Sequence, residues 1–77
     1  MASMERDPRQ YIAGEVRAEM ARQGHQQSAL TEVLGLTRQG VWLKFWGNRR
    51  FTAEELVALA DFLKVPVNQF LPSVPAS

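Results

Sequence analysis

Signals that begin and end helices recur along the whole sequence. The clearest is the stretch from Thr52 to Glu55, a capping box in which the threonine and glutamate side chains each accept the other residue's amide hydrogen. Apolar residues at 56, 59, 60 and 63 follow with the i, i+3, i+4, i+7 spacing of an amphipathic helix. We predict that this helix ends near Lys64, before Val65 and Pro66.

Three further helices and a final turn follow from the same kind of signal. Asp7 followed by Pro8 is typical of a helix start, and glycine just past a helix is typical of its end. The predicted helices cover residues 8–23, residues 27–34 with a start at Gln26 or Gln27, and residues 38–46 behind Thr37 as cap, and a last turn holds Val67, Phe70 and Leu71. No segment alternates as a strand would, so we expect an all-α fold of five short helices.

The length of 77 residues allows one small domain. We expect residues 1–7 to be a disordered N-terminal arm, residues 8–71 to form the domain, and residues 72–77 to be a tail or linker. Short helices are marginal alone, so their apolar stripes should share one core. The predicted core consists of Ile12, Val16, Met20, Leu30, Val33, Leu34, Leu36, Val41, Phe45, Leu56, Leu59, Ala60, Leu63, Val65, Val67 and Phe70.

The residue types needed for catalysis and metal binding are scarce. The chain has one histidine and no cysteine, and its carboxylates fall at helix caps and on outward helix faces. We therefore expect no enzyme activity, no catalytic residues, no metal site, no cofactor and no small-molecule substrate. No apolar run approaches a membrane span, so we expect a cytoplasmic protein without a membrane partner.

The charges are distributed unevenly along the chain. Residues 1–26 carry four basic and four acidic groups, residues 27–50 have a net charge of +3, and residues 51–77 have a net charge of −2. No acidic residue lies between Arg38 and Arg50. This middle segment indicates either a surface that faces a polyanion or a basic loop that is simply solvated.

The second and third predicted helices are joined by three residues, Gly35-Leu36-Thr37, the length of a helix-turn-helix connection. Around this turn lie QSALTEVLGLTRQGV at residues 27–41, a phenylalanine and a glycine at 45 and 47, and LVALADFLKVPVNQF at residues 56–70. Over about residues 11–71, without gaps, this pattern resembles the Cro/CI-type, or lambda-repressor-like, helix-turn-helix family.

The resemblance implies a sequence-specific transcriptional regulator of the repressor kind, phage or bacterial, in a bacterial cell. Such proteins usually bind a double-stranded DNA operator as symmetric dimers. It also implies that Gln27 contacts phosphate, that Arg38, Gln39 and Leu43 face bases, and that the loop at Asn48 and Arg49 lies on the DNA backbone. The aromatic Trp42 and Trp46 and the basic Lys44 depart from the residue types of the family.

Helical geometry predicts the same outward face without the family. At about 100° per residue, burial of Val41 and Phe45 turns Gln39 and Leu43 outward, with tryptophans on either side. We predict base contacts by Arg38, Gln39, Trp42 and Leu43. We predict DNA backbone contacts by Gln27, Lys44, Asn48, Arg49 and Arg50.

Two tryptophans four residues apart on an outward stripe require a partner. They could pack against Phe51 and the fourth helix as core, press on sugar and base edges, or form a protein interface. The last option gives an alternative function, in which the Trp42 and Trp46 surface of a helix-turn-helix scaffold binds a protein, as an antirepressor or adaptor would. A homodimer contact is predicted at Val67, Phe70, Leu71 and Val74.

Overall fold

The computed structural model describes residues 7–72. Four α-helices are followed by a short 3₁₀ helix: α1 (Pro8–Gln23), α2 (Ala29–Leu34), α3 (Arg38–Phe45), α4 (Ala53–Leu63) and the 3₁₀ helix Val67–Phe70. Strands are absent from this part of the chain, so the predicted all-α class is confirmed. The fifth predicted helix is a 3₁₀ helix of four residues.

The predicted terminal segments lie almost entirely outside the described residues, which exclude 1–6 and 73–77. Asp7 lies at the predicted boundary between arm and domain, and its predicted role at the start of α1 is confirmed. Its carboxylate accepts the amide hydrogen of Arg9 at 3.0 Å and so caps α1.

Most helix ends agree with the sequence signals. Gly24 and Gly35 adopt the left-handed conformation at the ends of α1 and α2, and the predicted capping box at Thr52 is formed. The start of α2 differs, because residues 26–28 form a turn. The amide of Ala29 donates to the carbonyl of Gln26, and this three-residue spacing places the first α-helical residue later than predicted.

One core joins all the elements. Its buried members are Val16, Met20, Leu30, Val41, Leu56, Leu59, Ala60, Leu63 and Phe70, and the half-buried Ile12, Val33, Leu34, Leu36, Phe45, Phe51, Phe62 and Val65 pack against them. The predicted core is thus recovered except for Val67, which is exposed at the start of the 3₁₀ helix. Helix α1 packs against α3, α4 and the 3₁₀ helix, while α2 packs against α3 and α4.

A polar cluster around Glu19 closes the C-terminal side of this core. The buried carboxylate accepts hydrogen bonds from Arg22, Gln23 and Gln69 at 2.6–2.7 Å. Gln23 also donates to the carbonyl of Leu63 at 2.8 Å. These bonds tie α1 to the end of α4 and to the 3₁₀ helix, and they lower the pKa of Glu19, the bond from Arg22 having the largest effect.

Within residues 7–72, no helix combines the length and the apolar character needed to cross a membrane.

Candidate nucleic-acid interface

Helix α3 packs against the core on one side and is exposed to solvent on the other. The Thr37 hydroxyl accepts the amide hydrogen of Gly40 at 3.0 Å and fixes the start of the helix. Val41 is the only fully buried residue of α3, because the helix is short and lies on the core by a single stripe. The outward face consequently leaves Arg38, Gln39 and Trp42 exposed.

Two clefts flank this outward face. One cleft, of about 280 Å³, is lined by Gln39, Leu43 and Arg49 together with Thr37 and Gly40. The other, of about 290 Å³, lies between the starts of α2 and α3. Its walls are formed by Gln26, Gln27, Ser28, Thr31, Arg38 and Val41. The structure therefore brings Gln39, Leu43 and Arg49 together at one cleft, and Gln27 and Arg38 at the other.

The loop after α3 reaches the first cleft because it folds back along the helix. The carbonyl of Leu43 accepts the amide hydrogens of both Asn48 and Arg49, at 2.8 and 3.1 Å. Gly47 makes this reversal with φ = 81°, a conformation that favours glycine. A Cβ atom at this position would lie 2.6 Å from the Nε2 atom of Gln10, the end of a flexible side chain that can move aside, so it is the backbone conformation that favours glycine here.

Arg50 does not share the position of Arg49, although the two residues are adjacent. It lines a small apolar crevice with Pro8, Arg9, Ile12 and Phe51, next to the start of α1. Side chains of neighbouring loop residues point in different directions, and here only Arg49 reaches the cleft on α3. The predicted basic pair is thus divided between two places, and Asn48 is exposed between α3 and this pair.

Lys44 lies apart from the other basic residues. Its ammonium group contacts both carboxylate oxygens of Glu55 at 2.6 and 2.7 Å, and the two side chains are only 13% and 14% exposed. Contact with a phosphate would have to compete with this ion pair for a largely buried ammonium group. Because its charge is already paired with Glu55, we do not include Lys44 among the DNA backbone contacts proposed below.

The sequence did not indicate that Glu55 binds Lys44. Burial raises the pKa of its carboxyl group, but hydrogen bonds from Lys44 and from the backbone of Thr52 outweigh that effect, and the pKa lies below its ordinary value. The amide of Thr52 donates to Oε1 at 2.9 Å, so one carboxylate serves both the capping box and Lys44. The capping box gave a signal for Glu55, but only for the cap.

Arg17 and Gln10 of α1 were also missed. Arg17 donates from Nη1 to the carbonyl of Phe45 at 2.7 Å, and Gln10 donates from Nε2 to the carbonyl of Gly47 at 3.3 Å. Both carbonyls lie at the end of α3, where backbone acceptors have no intrahelical partner. Polar residues at i and i+7 on α1 were a weak signal that this face meets another helix.

The tryptophans are not core residues. Trp42 and Trp46 are 49% and 45% exposed, which rules out the predicted packing of both rings against Phe51 and α4 as core. The Trp46 ring meets Phe45 edge-on at 5.4 Å, and the guanidinium of Arg17 lies 4.7 Å from its centre. About half of the surface of each tryptophan is consequently available to a partner.

The structure offers no metal site among the residues it describes, and comparisons with known proteins assign no family. Among residues 7–72, no group of three or more histidine, cysteine or acidic side chains could hold a metal ion. No protein-family model, curated protein or solved structure matches this chain.

Proposed function

We propose that this protein is a sequence-specific double-stranded DNA-binding transcriptional regulator of the Cro/CI type. In this proposal α2 and α3 form the helix-turn-helix, and α3 enters the major groove. The observation that carries it is the grouping of Gln39, Leu43 and Arg49 at one exposed cleft on α3.

The chemistry of this cleft suits the edges of base pairs. A glutamine amide can donate to and accept from adenine at the same time, and an apolar side chain such as Leu43 can contact a thymine methyl group. Arg49 supplies a positive charge next to them, in position for a phosphate. Direct readout and backbone attachment would then occur side by side on one surface.

The second cleft supports the same orientation. Gln27 and Arg38 lie together where α2 and α3 begin, so a DNA strand along this side would meet an amide and a guanidinium group. Arginine binds guanine through two hydrogen bonds or neutralises a phosphate. We propose base contacts by Arg38, Gln39, Trp42 and Leu43, and backbone contacts by Gln27, Asn48 and Arg49.

Dimerisation on an operator with two half-sites is part of the proposal, with a revised contact. Phe70 is fully buried and belongs to the core, so it is not free to join a partner. Val67 and Leu71 are exposed beside it, and Val74 lies outside the described residues. A monomeric mass at binding concentrations, with a footprint of one half-site, would contradict this arrangement.

The first test measures binding to a labelled random-sequence duplex by fluorescence anisotropy over a range of salt concentrations. We expect affinity that falls steeply with salt, because phosphate neutralisation releases counterions. Selection from a random pool then identifies the preferred site. Absence of binding even at low salt would reject the proposed function.

Arg49 and Arg50 form a matched pair for the next test, because they carry the same charge at adjacent positions. We expect Arg49→Ala to reduce the slope of log affinity against log salt by about one. Arg50→Ala should change the slope less, since that side chain lies in the crevice beside α1. Equal changes in the two variants would place the DNA backbone along both residues and contradict the proposed path.

A second candidate function rests on the exposure of Trp42 and Trp46. Aromatic residues and arginine are enriched at protein interfaces, and Arg17 lies against Trp46. This surface would suit an antirepressor or adaptor that binds a protein. It becomes the favoured function if the protein does not bind DNA at low salt.

A further inference from the structure

We propose that Glu55 is a positioning residue for α3: through Lys44 it holds the last turn of this helix at the start of α4, so that the outward face of α3 keeps one orientation. The inference rests on the proposed function for its consequence in DNA binding. Its structural part can be tested without DNA.

Three hydrogen bonds hold the carboxylate of Glu55 in place. Oε1 of Glu55 accepts from both Lys44 Nζ at 2.6 Å and the amide of Thr52 at 2.9 Å, while Oε2 accepts from Lys44 Nζ at 2.7 Å. Thr52 in turn holds the amide of Glu55 through its hydroxyl at 3.0 Å. The carboxylate is therefore fixed by its own helix before it contacts α3.

Lys44 belongs to the part of α3 that also holds the following loop. It lies in the last turn of α3, one position after Leu43, whose carbonyl also holds the loop that carries Arg49. A shift of this turn would therefore move Leu43 and Arg49 together. The same end of α3 is held from α1 by Arg17 and Gln10, so Glu55 supplies the attachment to α4.

The ion pair between Lys44 and Glu55 is largely buried. Both side chains are mostly shielded from water, so the pair is screened less than a surface ion pair. Loss of one partner leaves the other charge poorly solvated. The lysine would then have to leave its place to reach water, and the last turn of α3 would be released with it.

The test compares Glu55→Gln with Glu54→Gln in the full chain. Both variants remove one negative charge from the first turn of α4, but the side chain of Glu54 is exposed and forms no hydrogen bond within the described residues. Glutamine also preserves the capping box. We expect amide hydrogen exchange in residues 38–45 to rise about 5-fold to 30-fold in Glu55→Gln, and to change little in Glu54→Gln.

Two substitutions of Lys44 separate positioning from capping. Lys44→Met leaves the Thr52 and Glu55 cap intact, so we expect faster exchange in α3 with the start of α4 still protected. Lys44→Arg can restore the ion pair and should return exchange in α3 toward the original level. Unchanged exchange of α3 in both Glu55→Gln and Lys44→Met would overturn the structural part of the proposal.

The DNA measurement tests the consequence. We expect Glu55→Gln to reduce the ratio of affinity for the selected site to affinity for random DNA about tenfold. An unchanged ratio in a variant with loosened α3 would overturn the positioning role. Absence of DNA binding by the unaltered protein would reject the proposed function instead, and the exchange result would still decide whether Glu55 holds α3.

Discussion

Helices α3 and α4 begin alike and are used differently. In both, a threonine hydroxyl accepts the amide hydrogen of the residue three positions later. Helix α4 then buries four residues, whereas α3 buries only Val41. Helix α4 is therefore held mainly by apolar packing, and α3 by polar contacts at its end. A helix held in this way can leave a whole face open to a partner.

The largest expected difference between the two helices is in the cost of deleting a leucine. We expect Leu59→Ala in α4 to lower the free energy of unfolding by about 2–5 kcal/mol, because Leu59 is fully buried and a cavity would remain. Leu43→Ala in α3 should lower it by less than about 1 kcal/mol, since that side chain is partly exposed.

Urea unfolding measures both changes. The Leu43 variant should also lose preference for the selected DNA site, which the stability measurement does not report. Equal losses of stability in the two variants would show that α3 belongs to the core as much as α4 does, and would remove the contrast between them.

The two threonine caps give a smaller effect. We expect Thr52→Ala to lower the free energy of unfolding by about 1 kcal/mol, because α4 carries much of the core. Thr37→Ala should lower global stability less and should mainly increase amide exchange in the first turn of α3. Serine at either position keeps the hydroxyl and serves as the control. A larger global loss in the Thr37 variant would contradict the comparison.

Acidification should have the smallest effect and should act at both ends of α4. The pKa values of Glu19 and Glu55 are lowered in the folded protein, so the unfolded chain binds protons more readily. Their contribution is fully present above the unfolded pKa near 4.5 and is lost as the pH falls through the lower folded values. We expect the melting temperature to fall below about pH 4.5.

Substitution assigns this pH dependence. Glu19→Gln and Glu55→Gln should each flatten the fall in melting temperature, whereas Glu54→Gln should leave its shape unchanged, because the Glu54 side chain is exposed and has no hydrogen-bond partner within residues 7–72. A fall of the same steepness in all three variants would place its origin in other carboxylates.

Local signals predicted most of the fold. The capping box at Thr52 and the glycines at 24 and 35 act within a few residues, and the structure agrees with each. The leucine pattern of α4 likewise needs only helical periodicity. The start of α2 was placed too early, because residues 26–28 satisfy their backbone in a turn that has no strong sequence signal.

The contacts that form the candidate site were less predictable, because they join distant parts of the chain. Nothing near Lys44 indicates that its partner lies eleven residues later in another helix. Arg49 and Arg50 looked equivalent in the sequence, and only the folded loop separates them. The outward position of Gln39 could be predicted, since it depends on the period of one helix.

Both tryptophans of the chain lie at α3, one within it and one at its C-terminal end, and a guanidinium group rests on the second ring. The intrinsic fluorescence of the protein consequently originates almost entirely from this one helix. Emission intensity and accessibility to a soluble quencher therefore report on α3 without any attached dye. A ligand that covers this surface should change the tryptophan emission spectrum, whereas one that binds the far side of α4 should leave it unchanged.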